Sequence, residues 1–112
     1  MPLRCERYEQ ACVIGVDGEL AGENAAALRA AVERQIEEHH VAHFVVDLEN
    51  SDFIDSEGLE TLLWLKRRCE ALFGQVQLAG LQDNCRKILQ ITRLEPCFQC
   101  QRDLPSALRL MR

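Results

Sequence analysis

Along the chain, short unbroken apolar runs alternate with longer stretches in which apolar residues recur at helical spacing. Residues 11–16, Ala-Cys-Val-Ile-Gly-Val, are a run of the first kind and stop at the turn dipeptide Asp17-Gly18. They predict a strand, with residues 4–8 as a partner strand before it. Over 23–39 the period changes. Ala25, Leu28, Ala31, Val32, Gln35 and Ile36 fall on one side, and Arg29, Glu33, Arg34 and Glu37 on the other, which predicts an amphipathic helix. Its alanines raise helix propensity, and Asn24 is the expected N-cap. Residues 43–48, His-Phe-Val-Val-Asp-Leu, predict a strand buried on both faces. After the polar turn Glu49-Asn50-Ser51-Asp52 and a brief apolar return at Phe53-Ile54, a second helix is predicted over 57–72. Leu59, Leu62, Leu63, Lys66, Cys69, Glu70 and Phe73 form its stripe, and Gly74 is its stop.

The remaining pattern predicts a strand at 75–79 and a helix at 84–91 capped by Asp83. A short strand at 97–99 and a last helix from Pro105 to Met111 complete it, with proline in the first turn where it is tolerated. Strands alternating with helices imply parallel crossovers, hence a sheet of four or five strands with helices packed against it. Trp64 and Leu65 lie off the stripe of the second helix. Burial against a neighbouring helix is the first expectation for them, and a homodimer or partner face the second.

Composition narrows the function. The 112 residues suit one domain spanning 1–112, and 47% hydrophobic with 28% charged residues is ordinary for a globular protein. A net charge of −5 argues against nucleic acid and against an anionic membrane surface as partners. No apolar stretch is long enough to suggest membrane insertion, and the N-terminus lacks the pattern of a secretion signal, so a cytoplasmic protein is expected. In that compartment Cys5, Cys12, Cys69, Cys85, Cys97 and Cys100 are expected as thiols.

The candidate chemistry is concentrated at Asp55-Ser56-Glu57-Gly58, where an apolar segment stops and the clearest helix begins. A hydroxyl there can cap free backbone N–H groups, and the same N–H groups and the helix dipole favour an anion. A phosphate on Ser56 would carry about −1.5 to −2 charges. A partner docking there would face a cost of about a few kcal/mol, enough to change binding by orders of magnitude. On the residues alone Ser56 reads first as a plain helix cap. Other chemistries find less support. Cys97-Phe98-Gln99-Cys100 does not open a helix and has no second ligand pair for zinc. His39, His40 and His43 lack an acidic co-ligand at a defined spacing. Neither a phosphate-binding glycine loop nor a Gly-x-Ser-x-Gly elbow is present, so no metal, cofactor or catalytic residue is assigned and the protein is read as a non-enzyme.

Phe44-Val45-Val46-Asp47-Leu48, followed by Phe53-Ile54-Asp55-Ser56-Glu57-Gly58-Leu59 at the head of a long helix, resembles the STAS domain of bacterial anti-sigma-factor antagonists. Val76-Gln77-Leu78-Ala79-Gly80-Leu81 is similar to that family's next strand and loop. Gly18-Glu19-Leu20 is similar to its first strand-to-helix loop, and Leu89, Ile91, Thr92 and Leu94 lie in a segment like its third helix. The resemblance spans about residues 8–111. It implies an α/β fold with a four- or five-stranded mixed, mainly parallel sheet and about four helices mostly on one face. It also implies a partner switch. The unmodified protein binds an anti-sigma factor that is a serine kinase, phosphorylation of Ser56 releases it, and a serine phosphatase resets the system. Asp55, Ser56, Glu57, Gly58, Leu59 and Glu19 would form the partner-binding surface. Two residues depart from the family pattern: Glu57, where a small residue is usual, and Ala21, where an acidic one is frequent. The alternative is a constitutive STAS-like accessory subunit of a larger assembly, such as a lipid-transport complex, with Ser56 only a cap.

Overall fold

The computed structural model describes residues 3–9 and 11–111. Its elements are β1 (Leu3–Tyr8), β2 (Ala11–Val16), α1 (Gly22–His39), β3 (His43–Asp47), α2 (Ser56–Ala71), β4 (Gln75–Ala79), α3 (Asp83–Ile91), a 3-10 turn (Glu95–Cys97), β5 (Gln99–Gln101) and α4 (Leu104–Leu110). The five strands lie side by side in chain order, β1 antiparallel to β2 and every later neighbour parallel. Each parallel step needs a crossover, and α1, α2 and α3 supply them. The mixed, mainly parallel sheet expected from the sequence is therefore present.

Strand alternation sorts the side chains between two layers. Cys12, Ile14 and Val16 of β2, Phe44 and Val46 of β3, and Val76 and Leu78 of β4 point into the main core. Leu28, Val32 and Ile36 of α1, Leu62, Leu65 and Cys69 of α2, and Cys85 and Leu89 of α3 meet them there. Ala11, Val13, Val45 and Ala79 point the other way, against Ala107 of α4 and Met111 just after it. Three helices thus cover one face and one short helix the other. Val45 and Phe44, adjacent in β3, are both fully buried, as a central strand requires. No helix among the described residues is long and apolar enough to cross a membrane.

Several local expectations are corrected. Asn24 is not the cap of α1. Ala21 holds that position with no side-chain hydrogen bond, and Asn24, inside the first turn, donates its amide to the Glu19 carbonyl at 2.7 Å. Likewise Gln82, not Asp83, precedes α3. The strand expected at 97–99 begins at Gln99, because Pro96 and the Cys97 N–H bonded to the Leu94 carbonyl wind 95–97 into a 3-10 turn. Cys97 is exposed on that turn and Cys100 is half-buried on β5.

The largest revision concerns α2. Its buried face is Gly58, Thr61, Leu62, Leu65 and Cys69, rotated from the expected stripe. Leu65 is core, and Phe73 is 96% exposed beyond the helix end, while Lys66 and Glu70 pair with each other at the surface at 2.8 Å. Gly58 sets this rotation, because a Cβ there would overlap the Leu20 carbonyl oxygen. The residue must face the β2–α1 loop, and the rest of the helix turns with it. Trp64 is half-buried toward α1, with the Arg29 guanidinium 4.5 Å above its ring, so burial against a neighbouring helix is what the structure shows.

Candidate functional site

At the C-terminal ends of β2 and β3 two loops run together. The Gly18 N–H donates to the Asn50 carbonyl at 3.0 Å, the Leu20 N–H to the Phe53 carbonyl at 2.9 Å, and the Asp55 N–H to the Leu20 carbonyl at 3.3 Å. Leu20 and Ile54 thereby make a one-residue parallel bridge, and both are buried. Ser51, fully buried, donates its hydroxyl to the Val16 carbonyl at the end of β2 at 2.9 Å, so the buried hydroxyl is satisfied. The start of α3 clamps the same segment from the other side. Gln82 Nε2 donates to the Glu49 carbonyl and Asn84 Nδ2 to the Asp52 carbonyl, both at 2.7 Å. Segment 49–55 is thus held by backbone and amide bonds on two flanks, and it delivers the helix start in a set position.

Asp55 is the N-cap of α2. Its backbone is extended, and its Oδ1 accepts from the Gly58 N–H at 2.8 Å. The capping expected of Ser56 therefore belongs to its neighbour. Ser56 is the first helical residue and is exposed, as is Glu57. Its hydroxyl stands where the first free N–H groups of a 16-residue helix gather. Glu19, exposed, directly precedes Leu20, whose bridge to Ile54 brings the β2–α1 loop to the start of α2. Gly58 departs from the expectation of a surface role. It is buried, and its part is the close approach to Leu20. Leu59 is half-buried against the main core and offers only an edge.

The segments that meet here carry several exposed acidic residues, Glu19, Glu49, Asp52, Glu57 and Asp83, and the half-buried Asp17. Asp17 accepts from Arg4 Nε and Nη2 at 3.0 and 3.1 Å and from Asn50 Nδ2 at 3.0 Å. The Arg4 fork first, then Asn50, hold its carboxyl below the usual range. This clasp ties β1 to both loops. Phe53, 40% exposed next to the site, is an apolar contact on an otherwise charged surface. Sequence reasoning gave no site role to Ser51, Gln82, Asn84 and Asp17. Polar loop residues carry no periodic signal, and their partners lie some thirty positions away. Among the described residues no three His, Cys, Asp or Glu side chains converge to hold a metal.

Residues 3–107 match the family model of the STAS domain. The chain is 31% identical over 84 residues, 75% of its length and 72% of the relative's, to an anti-sigma F factor antagonist of Lysinibacillus sphaericus. It is 38% identical over 56 residues, half of its own length, to a STAS-domain containing protein of Pseudomonas aeruginosa, and that match spans 55% of the relative. The fold superimposes on the anti-sigma factor antagonist SpoIIAA in its unphosphorylated form with a TM-score of 0.83, at 25% identity, covering 95% of this chain and 92% of the other. For the phosphorylated form of SpoIIAA, a Bacillus cell fate determinant, the TM-score is 0.78 at 25% identity, with 98% and 99% covered.

Proposed function

From its membership of the STAS domain family, we propose that this chain is a phospho-regulated binding module of a bacterial partner-switching pathway. With Ser56 unmodified, the surface of Glu19, Asp55, Ser56, Glu57 and the edge of Leu59 binds an anti-sigma factor or related serine kinase. Phosphorylation of Ser56 ends the complex, and a serine phosphatase restores it. The module binds and is acted upon, and no catalytic role is assigned to its own residues.

The observation that carries this reading is the division of labour at the start of α2. Asp55 makes the cap, so Ser56 is exposed at the first helical position without a capping duty. That removes the capping role the accessory-subunit reading gave to Ser56, and the two readings differ in whether Ser56 is modified. A phosphate on Ser56 would be tolerated by the helix end but would add about −1.5 to −2 charges beside Glu57 and Glu19. The folded chain need not change shape; the partner meets a surface it no longer fits electrostatically. The Lysinibacillus sphaericus relative is an anti-sigma F factor antagonist, and SpoIIAA is known in both unphosphorylated and phosphorylated forms.

The test is a pull-down with wild type, Ser56→Ala and Ser56→Asp as baits, followed by incubation of the captured kinase with ATP and intact-mass analysis of each bait. The switch predicts a partner retained by Ser56→Ala and lost by Ser56→Asp, with one phosphate on wild type and none on Ser56→Ala. Equal capture by all three would refute it.

A further inference from the structure

In the β1–β2 pair Cys5 lies opposite Ile14 and Cys12 opposite Arg7, so the two cysteines are diagonal neighbours on the face covered by α1. Their sulfurs are 3.5 Å apart. Cys12 is fully buried, whereas Cys5 is exposed and lines a cleft of about 340 Å³ between β1 and α1, with Leu3, Ala27, Ala31 and Arg34. A small reagent therefore reaches one sulfur and finds the other in contact with it.

We propose that Cys5 and Cys12 form a peroxide-responsive dithiol, Cys5 as the attacking thiol and Cys12 as the resolving one. In the first step the Cys5 thiolate forms an S–O bond with hydrogen peroxide as the O–O bond breaks. Hydroxide leaves and takes up a proton as water. The sulfur loses two electrons, the peroxide gains them, and a sulfenic acid results. In the second step the Cys12 sulfur forms the S–S bond as the S–O bond breaks. Hydroxide leaves with the Cys12 proton as a second water. Two thiols and one peroxide become one disulfide and two waters.

The assignment of roles follows from burial. Desolvation, then contact with Cys5, push the Cys12 thiol up, and the Arg7 charge opposes this only in part. Cys12 stays protonated until its neighbour is activated, while exposure lets Cys5 meet the oxidant. Diagonal cross-strand neighbours have Cα atoms about 7–8 Å apart, beyond the roughly 4.4–6.8 Å of an unstrained disulfide. Closure must therefore draw β1 inward, which an edge strand with one neighbour allows. Arg4, adjacent to Cys5, moves with it, and the clasp to Asp17 carries that movement toward the loop bearing Glu19.

The experiment treats the whole chain with hydrogen peroxide, blocks free thiols by alkylation and measures intact mass and linked peptides. Wild type should lose two hydrogens in a bridge mapped to Cys5 and Cys12, reversed by dithiothreitol. Cys5→Ser, a change at an exposed site, should abolish it, whereas Cys97→Ser should keep it. Cys12→Ser is checked for folding by circular dichroism and should leave Cys5 as sulfenic acid. A bridge that survives in Cys5→Ser, a bridge mapped to Cys97 and Cys100, or oxygen added to Cys5 of wild type without any bridge would overturn the proposal.

Discussion

A methyl group on Gly58 is the smallest perturbation that separates helix preference from packing at this site. In an exposed helix, Gly→Ala would stabilise by about 1 kcal/mol. Here the added Cβ would overlap the Leu20 carbonyl oxygen and lie 2.8 Å from Ile54 Cγ2. Neither obstacle is a flexible side-chain end. The Leu20 carbonyl accepts from the Asp55 N–H, and the Leu20 N–H donates to the Phe53 carbonyl. Relieving the overlap means moving the α1-side loop away from α2, at about 1–3 kcal/mol for overpacking. It also weakens those two backbone bonds, at about 1 kcal/mol each. After subtracting the propensity gain, Gly58→Ala should destabilise by about 2–4 kcal/mol. A chain of 112 residues loses roughly 4 °C of Tm per kcal/mol, from about 2.1 cal/mol/K of unfolding entropy per residue. The midpoint should fall by about 9–17 °C in a thermal melt followed by circular dichroism, with the same ordering in urea. Glu57→Ala, an exposed neighbour, serves as the control and should stay within about 0.5 kcal/mol of wild type. An unchanged or raised Tm for Gly58→Ala would refute the close approach as what rotates α2.

The other expectations concern the cap, the core and the acid limb. Asp55→Ala removes the acceptor of the Gly58 N–H and should cost about 1 kcal/mol, while Ser56→Ala should cost under about 0.5 kcal/mol, both read from urea midpoints; the reverse order would make Ser56 the cap. Leu65→Ala should cost about 2–5 kcal/mol and Phe73→Ala almost nothing, although the hydrophobic pattern alone ranks them the other way; equal losses would place α2 in the wrong rotation. Asp17 has a folded-state pKa below its unfolded value, so its contribution is present above the unfolded value and is lost as pH falls through the lower folded one. Asp17→Asn should therefore narrow the stability gap to wild type as acid is added below about pH 4, by urea unfolding at a series of pH values. A gap that widens in acid would contradict the clasp with Arg4.

What could be read from the amino-acid order was what depends on neighbours in the chain. The runs 11–16 and 43–48 carry their own signal, because a strand buried on both faces is apolar at nearly every position. The helices over 23–39 and 57–72 carry theirs in the 3.6 period and in Gly74, whose missing Cβ lets the chain pass the Ala42 carbonyl. Alternation of the two kinds was enough for a mainly parallel sheet, and a serine at the head of a strong helix was enough to mark a candidate site.

Tertiary structure decided what depends on residues far apart. Two adjacent stripes of α2 fit the same periodicity, and only the Leu20 carbonyl, thirty-eight positions from Gly58, selects between them. The same contact buries Gly58 and leaves Ser56 outside. The exchange of roles between Asp55 and Ser56 was equally out of reach, since both residue types cap helices well. The difference is one residue of phase in where the helix begins. That phase is set when β2 and β3 bring their loops together, because segment 49–55 can satisfy its buried backbone groups in that register.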